Sequence, residues 1–132
     1  MEKVKKLTEE FFNKFLKIKN RDLAFSEIYD LVKDWLPSEQ YPNGNSPGIY
    51  FLLDKNKDIY YIGCSKISIS SRLNVYFKYD KQDRNKCYKT KGSEDVFYII
   101  TYPMENDLKY FVYSLELYLI EKVRPKVNKV GK

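Results

Sequence analysis

The chain has 132 residues, of which 43% are hydrophobic and 32% charged, and 24 Lys and Arg against 18 Asp and Glu give it a formal charge of +6. This length and mix are typical of a compact folded domain, and the positive charge suits either a polyanionic partner such as nucleic acid or a merely soluble, lysine-rich protein. The chain has no histidine, which excludes Ser-His-Asp triads, Cys-His pairs and all His-based metal sites.

Two amphipathic helices are predicted in the N-terminal part. Apolar side chains recur at spacings of three and four in residues 2–18 and again in residues 22–35, where Asp22 can act as the N-cap. Residues 37–47 are rich in Pro, Asn, Gly and Ser, which predicts a linker or an ordered loop. We therefore expect a helical extension and linker over residues 1–46 and a second domain over residues 47–132.

The second part is predicted to have an α/β fold. Strands are expected at residues 48–53, 59–64 and 96–102, because these segments are rich in β-branched and aromatic residues and the first two flank a polar turn. Helices are expected at residues 68–79, with Ser68 as N-cap, and at 106–123, with Asn106 or Asp107 as N-cap and Pro125 beyond the end. Residues 80–93 are polar and basic, and predict a loop. The expected architecture is a small three-stranded antiparallel sheet flanked by helices, with the two extra N-terminal helices.

The cellular compartment of the protein is predicted from features that its sequence lacks. It has no apolar run of membrane-spanning length and no signal-like N-terminus, and its two cysteines, Cys64 and Cys87, do not form a CxxC motif. We expect a cytoplasmic protein with reduced thiols and no membrane partner.

Glu116 falls on the apolar side of the last predicted helix. At 100° per residue it lies within the arc formed by Val112, Leu115 and Leu119. An ionised carboxylate that faces a core is costly unless it is paired or binds a cation. Two interpretations are open: a metal ligand, or an ion pair with Arg72 that only stabilises the fold. A lone protein carboxylate, with water and phosphate completing the coordination shell, suits Mg²⁺ or Mn²⁺.

Two tripeptides, Gly48-Ile49-Tyr50 and Tyr61-Ile62-Gly63, are separated by ten residues and resemble the signature of the GIY-YIG nucleases. The resemblance covers residue 48 to about residue 128 and is closest to the catalytic domain of bacterial excision-repair nucleases. It continues, in the family's order, through Arg72, Tyr76, Glu116, Pro125 and Asn128. The segment 64–71 is one residue longer than in many relatives, which affects where the helix that carries Arg72 begins.

The resemblance implies an endonuclease that hydrolyses DNA phosphodiester bonds with a single Mg²⁺, or Mn²⁺ in its place. It assigns the metal to Glu116, charge stabilisation on the phosphate to Arg72, and the proton of the attacking water to Tyr50. Tyr61 and Tyr76 would orient water, phosphate or Tyr50. Because tyrosines in strands are commonly packing residues, a purely structural role stays open for Tyr50 and Tyr61.

Three further residues are predicted to serve the structure. Gly48 and Gly63 would allow the backbone to approach closely near the scissile phosphate. Asn128 would tie the C-terminal segment to the sheet or help to arrange the site.

Basic residues flank the predicted site in sequence and are candidates for contacts with the DNA backbone, with Tyr79 and Tyr88 stacking on bases. A solvated loop is the equally open alternative. The candidates are Lys66, Lys78, Lys81, Arg84, Lys86, Lys89 and Lys91.

Several biological roles remain open at this point. The chain could be a restriction, phage or repair-type nuclease, or an inactive relative that only binds nucleic acid. A double-strand cutter with one site per chain would need a second copy, and the N-terminal helices are the predicted interface of such a homo-oligomer.

Overall fold

The first helix lies where the sequence predicts it. The computed structural model describes residues 1–19, 24–35 and 41–128. Helix α1 (Glu2–Leu16) buries Val4, Thr8, Phe11 and Phe12, and ends at Lys17, whose φ of 58° is left-handed. Val4 and Phe11, two of the periodic apolar positions, therefore lie on the buried face of the helix, whereas Phe15 is 53% exposed.

A four-stranded antiparallel sheet forms the centre of the fold, with the strand order β1-β6-β2-β3. The three predicted strands are confirmed, and a fourth, two-residue strand extends the sheet. Within the described ranges the strands are β1 (Tyr29–Asp30), β2 (Gly48–Leu53), β3 (Ile59–Ser65), β4 (Phe77–Tyr79), β5 (Cys87–Lys89) and β6 (Tyr98–Pro103).

The second predicted helix is wrong. Residues 24–35 hold strand β1 and a turn instead of a helix; the predicted cap at Asp22 and residues 37–40 of the predicted linker lie outside the described residues. The segment follows the edge of the sheet, because Ser26 N donates to Thr101 O at 2.8 Å and Leu31 N donates to Phe97 O at 3.1 Å. These backbone bonds to another strand replace the bonds that a helix would make within itself.

The apolar spacing that suggested this helix has another cause. Phe25 packs against the Tyr102 ring on one face of the sheet, with ring centroids 4.7 Å apart. Tyr29, Leu31 and Trp35 belong to the hydrophobic cluster on the other face. An extended segment that crosses the sheet edge thus contributes apolar side chains to both faces, and this mimics helical periodicity.

Helix α2 (Ile69–Tyr76) begins at its predicted N-cap, since the Ser68 side chain accepts a hydrogen bond from Ser71 N at 3.4 Å. It ends three residues before the predicted position 79, because Phe77 turns extended and begins β4. Strand β4 pairs with β5, so part of the predicted loop over residues 80–93 is a strand. Aromatic residues favour strands, and the buried Phe77 ring anchors this hairpin to the core.

Helix α3 (Val112–Val123) carries Glu116 and ends, as predicted, shortly before Pro125. Its predicted start at residue 106 is wrong, and so are the predicted caps Asn106 and Asp107. A turn and the 3₁₀ segment Lys109–Phe111 precede it, held by bonds such as Leu108 N to Glu105 O at 2.9 Å. Asn and Asp favour such turns because their side chains compete for the backbone.

The sheet separates two hydrophobic clusters. Alternate side chains of β2 point to opposite faces: Ile49 and Phe51 pack with α1 and α3, whereas Tyr50 and Leu52 pack with α2. Helix α1 therefore shares one hydrophobic core with the sheet. The division into two domains, residues 1–46 and 47–132, stays a prediction. In the described part of the chain, no helix has the length and apolar character that a membrane crossing requires.

Candidate active site

Tyr50 is the buried centre of the candidate site. It lies on β2 directly opposite Gly63 of β3, and its side chain is only 1% exposed. A Cβ atom on residue 63 would fall 2.2 Å from both Cζ and Oη of Tyr50. The Tyr50 ring therefore lies across the Gly63 backbone, and this contact alone requires glycine at that position.

Three phenols form a triangle on this face of the sheet. The ring centroids of Tyr50, Tyr61 and Tyr76 are 6.0 to 6.3 Å apart, and the hydroxyl oxygens of Tyr50 and Tyr76 are 3.0 Å apart. Burial raises the pKa of Tyr50 far above its usual range and that of Tyr61 to about 12, and the neighbouring phenols add to both shifts. In the free protein at neutral pH, these two groups are uncharged.

Arg72 places a positive charge at this triangle. It is exposed on α2, one turn before Tyr76, so both side chains lie on the same face of the helix. Hydrogen bonding to the Tyr50 hydroxyl is the main reason that the pKa of Arg72 is raised. The same guanidinium lowers the pKa of Tyr50, but burial of the phenol outweighs it. A planar guanidinium beside neutral phenols suits an anionic ligand such as phosphate.

Glu116 approaches β3 from α3 and is half-buried. Burial raises the pKa of its carboxyl, while a hydrogen bond from Cys64 and the charge of Arg72 act in the opposite direction. Among the described residues, Arg72 and Glu116 do not form a direct ion pair. The structure therefore does not support the alternative that Glu116 serves only as the salt-bridge partner of Arg72.

Glu116 offers one carboxylate ligand to a divalent cation. Across residues 1–19, 24–35 and 41–128, no three Asp, Glu or Cys side chains are close enough together to enclose a metal ion. An ion at Glu116 would therefore take most of its ligands from water and substrate, which is the manner in which Mg²⁺ binds. A cation would also compensate the carboxylate charge that burial disfavours.

Gly48 and Asn128 hold the frame of the site. A Cβ at Gly48 would fall 2.1 Å from the carbonyl oxygen of Tyr102, so only glycine permits the close pairing of β2 with β6 there. The Asn128 side chain accepts from Ile62 N at 2.6 Å and donates to Ile62 O at 3.0 Å. It thus attaches the C-terminal segment to the outer edge of β3.

A comparison with known protein families assigns the domain that carries this site. The model of the GIY-YIG catalytic domain matches residues 46–129, more than half of the chain. The chain belongs to the GIY-YIG family. In this nuclease domain, the two signature tripeptides lie on the neighbouring strands β2 and β3, and their register sets Tyr50 against Gly63.

Curated relatives of this GIY-YIG chain include two proteins called UvrABC system protein C. The protein from Mycoplasma mycoides subsp. mycoides SC is 34% identical over 91 residues, which cover 64% of this chain and 13% of the relative. The protein from Chlamydia abortus is 32% identical over 84 residues, which cover 63% of this chain and 13% of the relative. The chain thus corresponds to a small part of each relative.

The seven basic candidates lie in different surroundings on this GIY-YIG domain. Lys89 lies 3.7 Å from the centroid of the Phe97 ring, and Arg84 lies 4.9 Å from that of Tyr79, so both already stack within the chain. Lys78 donates to Asn74 O at 3.2 Å. Six of the seven are exposed, and only Lys89 is half-buried; the exposed ones are Lys66, Lys78, Lys81, Arg84, Lys86 and Lys91.

Cys64 is the contact that the sequence did not reveal. Its buried side chain lies beside the half-buried Glu116 carboxylate. Burial and the nearby carboxylate raise the pKa of the thiol. In the sequence, the only indication of this contact is that Cys64 follows Gly63 on the strand against which α3 packs. The contact itself depends on the angle between the helix and the strand, which the sequence does not reveal.

Proposed function

We propose that the chain is a metal-dependent DNA endonuclease that hydrolyses phosphodiester bonds with a single Mg²⁺, or Mn²⁺, held by Glu116. One observation supports this proposal above all. Arg72, three phenols and a half-buried carboxylate lie close together where α2 and α3 pack on β2 and β3. The site combines a cation for phosphate with a carboxylate suited to a metal.

The side chains divide the reaction between them. Arg72 binds the phosphate and stabilises the negative charge that develops on it. A metal at Glu116 would supply Lewis-acid stabilisation of the leaving oxygen. Tyr76 positions the Tyr50 hydroxyl through the 3.0 Å hydrogen bond between them.

Two phenols are candidates for the proton of the attacking water. Tyr50 is the first, since it contacts both Arg72 and Tyr76. Tyr61 is the second, because its pKa of about 12 is closer to neutrality. Tyr50→Phe and Tyr61→Phe separate them: the variant that lacks the acceptor loses cleavage and retains DNA binding, whereas the other loses much less.

The decisive assay incubates supercoiled plasmid, linear duplex and branched oligonucleotides with the protein and Mg²⁺. We expect cleavage that EDTA and Glu116→Ala abolish, while Glu27→Ala, which changes an exposed glutamate away from the site and from helix α3, cleaves like wild type. Metal-dependent cutting by Glu116→Ala would show that the metal is bound elsewhere. Salt-sensitive binding without cutting of any substrate would instead establish a nucleic-acid-binding module.

For a double-strand break, we propose that two copies associate through α1. Phe15 and Leu117 are exposed at an apolar groove of about 380 Å³ between α1 and α3. One chain offers one site, so cutting both strands together requires a second. Gel filtration with light scattering tests this: Leu117→Glu should shift a dimer to monomer, and a monomeric wild type with and without DNA would refute it.

A further inference from the structure

A pocket of about 420 Å³ lies beside the candidate active site, and its lining includes Lys66, one of the candidate contacts for the DNA backbone. Five side chains line it: Lys66, Ile67, Lys109, Tyr110 and Tyr113. We call it the lysine–tyrosine pocket. Its lining combines two cations, two phenol rings and an apolar side chain, and includes no carboxylate. That composition suits a ligand with negative charge and a flat unsaturated ring.

The apolar members of this pocket are unusually exposed. Tyr110 is 77% exposed, Ile67 is 74% exposed and Tyr113 is 55% exposed. Single exposed apolar residues are ordinary, but a group of them beside lysines marks a binding surface. None of the three belongs to either hydrophobic cluster of the fold, so packing within the chain does not account for them.

Along β3 and α3, the residues that line the pocket are close in sequence to those of the candidate active site. Tyr113 precedes Glu116 by one turn of α3, and Lys66 follows Cys64, whose thiol contacts the Glu116 carboxylate, by two residues. Helical rise places Tyr113 about 5 Å and Lys109 about 11 Å from Glu116 along the axis. A DNA strand advances about 3.4 Å per nucleotide, so the pocket is within about three nucleotides of a phosphate at Glu116.

We propose that the lysine–tyrosine pocket binds an unpaired nucleotide of the substrate strand, close to the phosphate that is cut. The proposal rests on the nuclease function proposed above and names its substrate class. Lys66 and Lys109 bind the flanking phosphates, and the base stacks on Tyr113 and Tyr110. The base must be unpaired, because the bases inside a duplex already have both faces covered by their neighbours.

The hairpin β4–β5 is a less suitable place for such a base. Tyr79 packs against Trp35, with ring centroids 5.4 Å apart, and Arg84 lies over the same tyrosine. Tyr88 is 53% exposed on the hairpin, and it therefore provides a matched comparison for Tyr113, which is exposed to a similar degree.

The test is equilibrium binding in EDTA, so that no cleavage intervenes. The probes are a labelled duplex with one unpaired 2-aminopurine nucleotide and the same duplex fully paired. We expect Tyr113→Ala to weaken binding of the first probe about tenfold and to abolish the quenching of 2-aminopurine fluorescence by stacking. Binding of the paired duplex should change little. Tyr113→Phe should retain both signals, and Tyr88→Ala, as the exposed aromatic control, should match wild type.

The outcomes separate this proposal from the proposed function. If Tyr113→Ala and Tyr110→Ala bind and quench like wild type, the pocket assignment is wrong, even where Glu116-dependent cleavage persists. If Tyr88→Ala carries the loss instead, the base binds at the hairpin and the pocket is again wrong. If the wild type neither binds nor cleaves any of the probes, the proposed function fails and the pocket assignment falls with it.

Discussion

Replacing Gly63 with alanine tests the packing on which the phenol triangle depends. The new methyl carbon would fall 2.2 Å from Cζ and Oη of Tyr50 and 2.6 Å from Cε1, whereas carbon atoms at rest lie about 3.5–4.0 Å apart. The ring must therefore move by more than about 1 Å. Tyr50 is fully enclosed, so this movement displaces its neighbours, including the hydroxyl of Tyr76.

The size of the effect follows from this overlap. Overpacking a filled core costs about 1–3 kcal/mol, which for a chain of this length corresponds to a decrease in Tm of about 3–15 °C. Cleavage well below Tm should fall by at least about tenfold, because the Tyr50 hydroxyl leaves its position between Arg72 and Tyr76. Thermal unfolding and plasmid cleavage at 20 °C measure the two effects separately.

Gly92→Ala is the matched control. Nothing lies within 4 Å of a Cβ at Gly92, but its φ of 93° is unfavourable for alanine, so this variant should lose about 1–2 kcal/mol of stability and retain full cleavage at 20 °C. If Gly63→Ala instead keeps both the Tm and the cleavage rate of wild type, the Tyr50 ring does not lie over residue 63 and the triangle is wrong.

Three further predictions concern stability and reactivity. Burial raises the pKa of Glu116, so ionising this carboxyl costs stability as the pH rises from below its unfolded pKa through its folded pKa. Glu116→Gln should therefore raise the metal-free Tm at pH 7.5 and leave it unchanged at pH 4. An equal shift at both pH values would contradict this. Asn128→Ala should lower the free energy of unfolding by about 1–3 kcal/mol, because it removes both bonds to the Ile62 backbone; a urea titration that shows no change would mean that water replaces the side chain fully. Native Cys64 and Cys87 should react with a thiol reagent at pH 8 much more slowly than free cysteine, since burial raises the pKa of the first well above its usual range and that of the second to about 11; rapid labelling of Cys64 would show that β3 opens.

Local pattern predicted most of the fold. Helix α1, strands β2, β3 and β6 and the end of α3 follow from periodicity, β-branched runs and the stop at Pro125. Residues 24–35 do not form the predicted helix, because Phe25 packs on one face of the sheet and Leu31 and Trp35 pack on the other. Their spacing matches a helix, and only the pairing of β1 with β6, almost 70 residues later in the chain, distinguishes the two.

The candidate site was predicted by motif order more than by local chemistry. Tyr50 and Tyr61 could be placed together because both lie on adjoining strands, and Arg72 and Tyr76 because they are four residues apart on a helix. The thiol contact to Glu116 could not be predicted in this way. It depends on how α3 packs over β3, which no spacing within either element encodes.

The match to the family begins at residue 46, yet the side chains that support α3 begin much earlier. Phe11 packs on Tyr118 with ring centroids 5.7 Å apart, and Phe12 packs on Tyr102 at 6.4 Å. An expression fragment cut at the family boundary would therefore expose the back of the helix that carries Glu116. For this chain, an expression fragment should therefore include α1. A mutational scan for loss of activity should likewise include positions in α1, which lie outside the family motif.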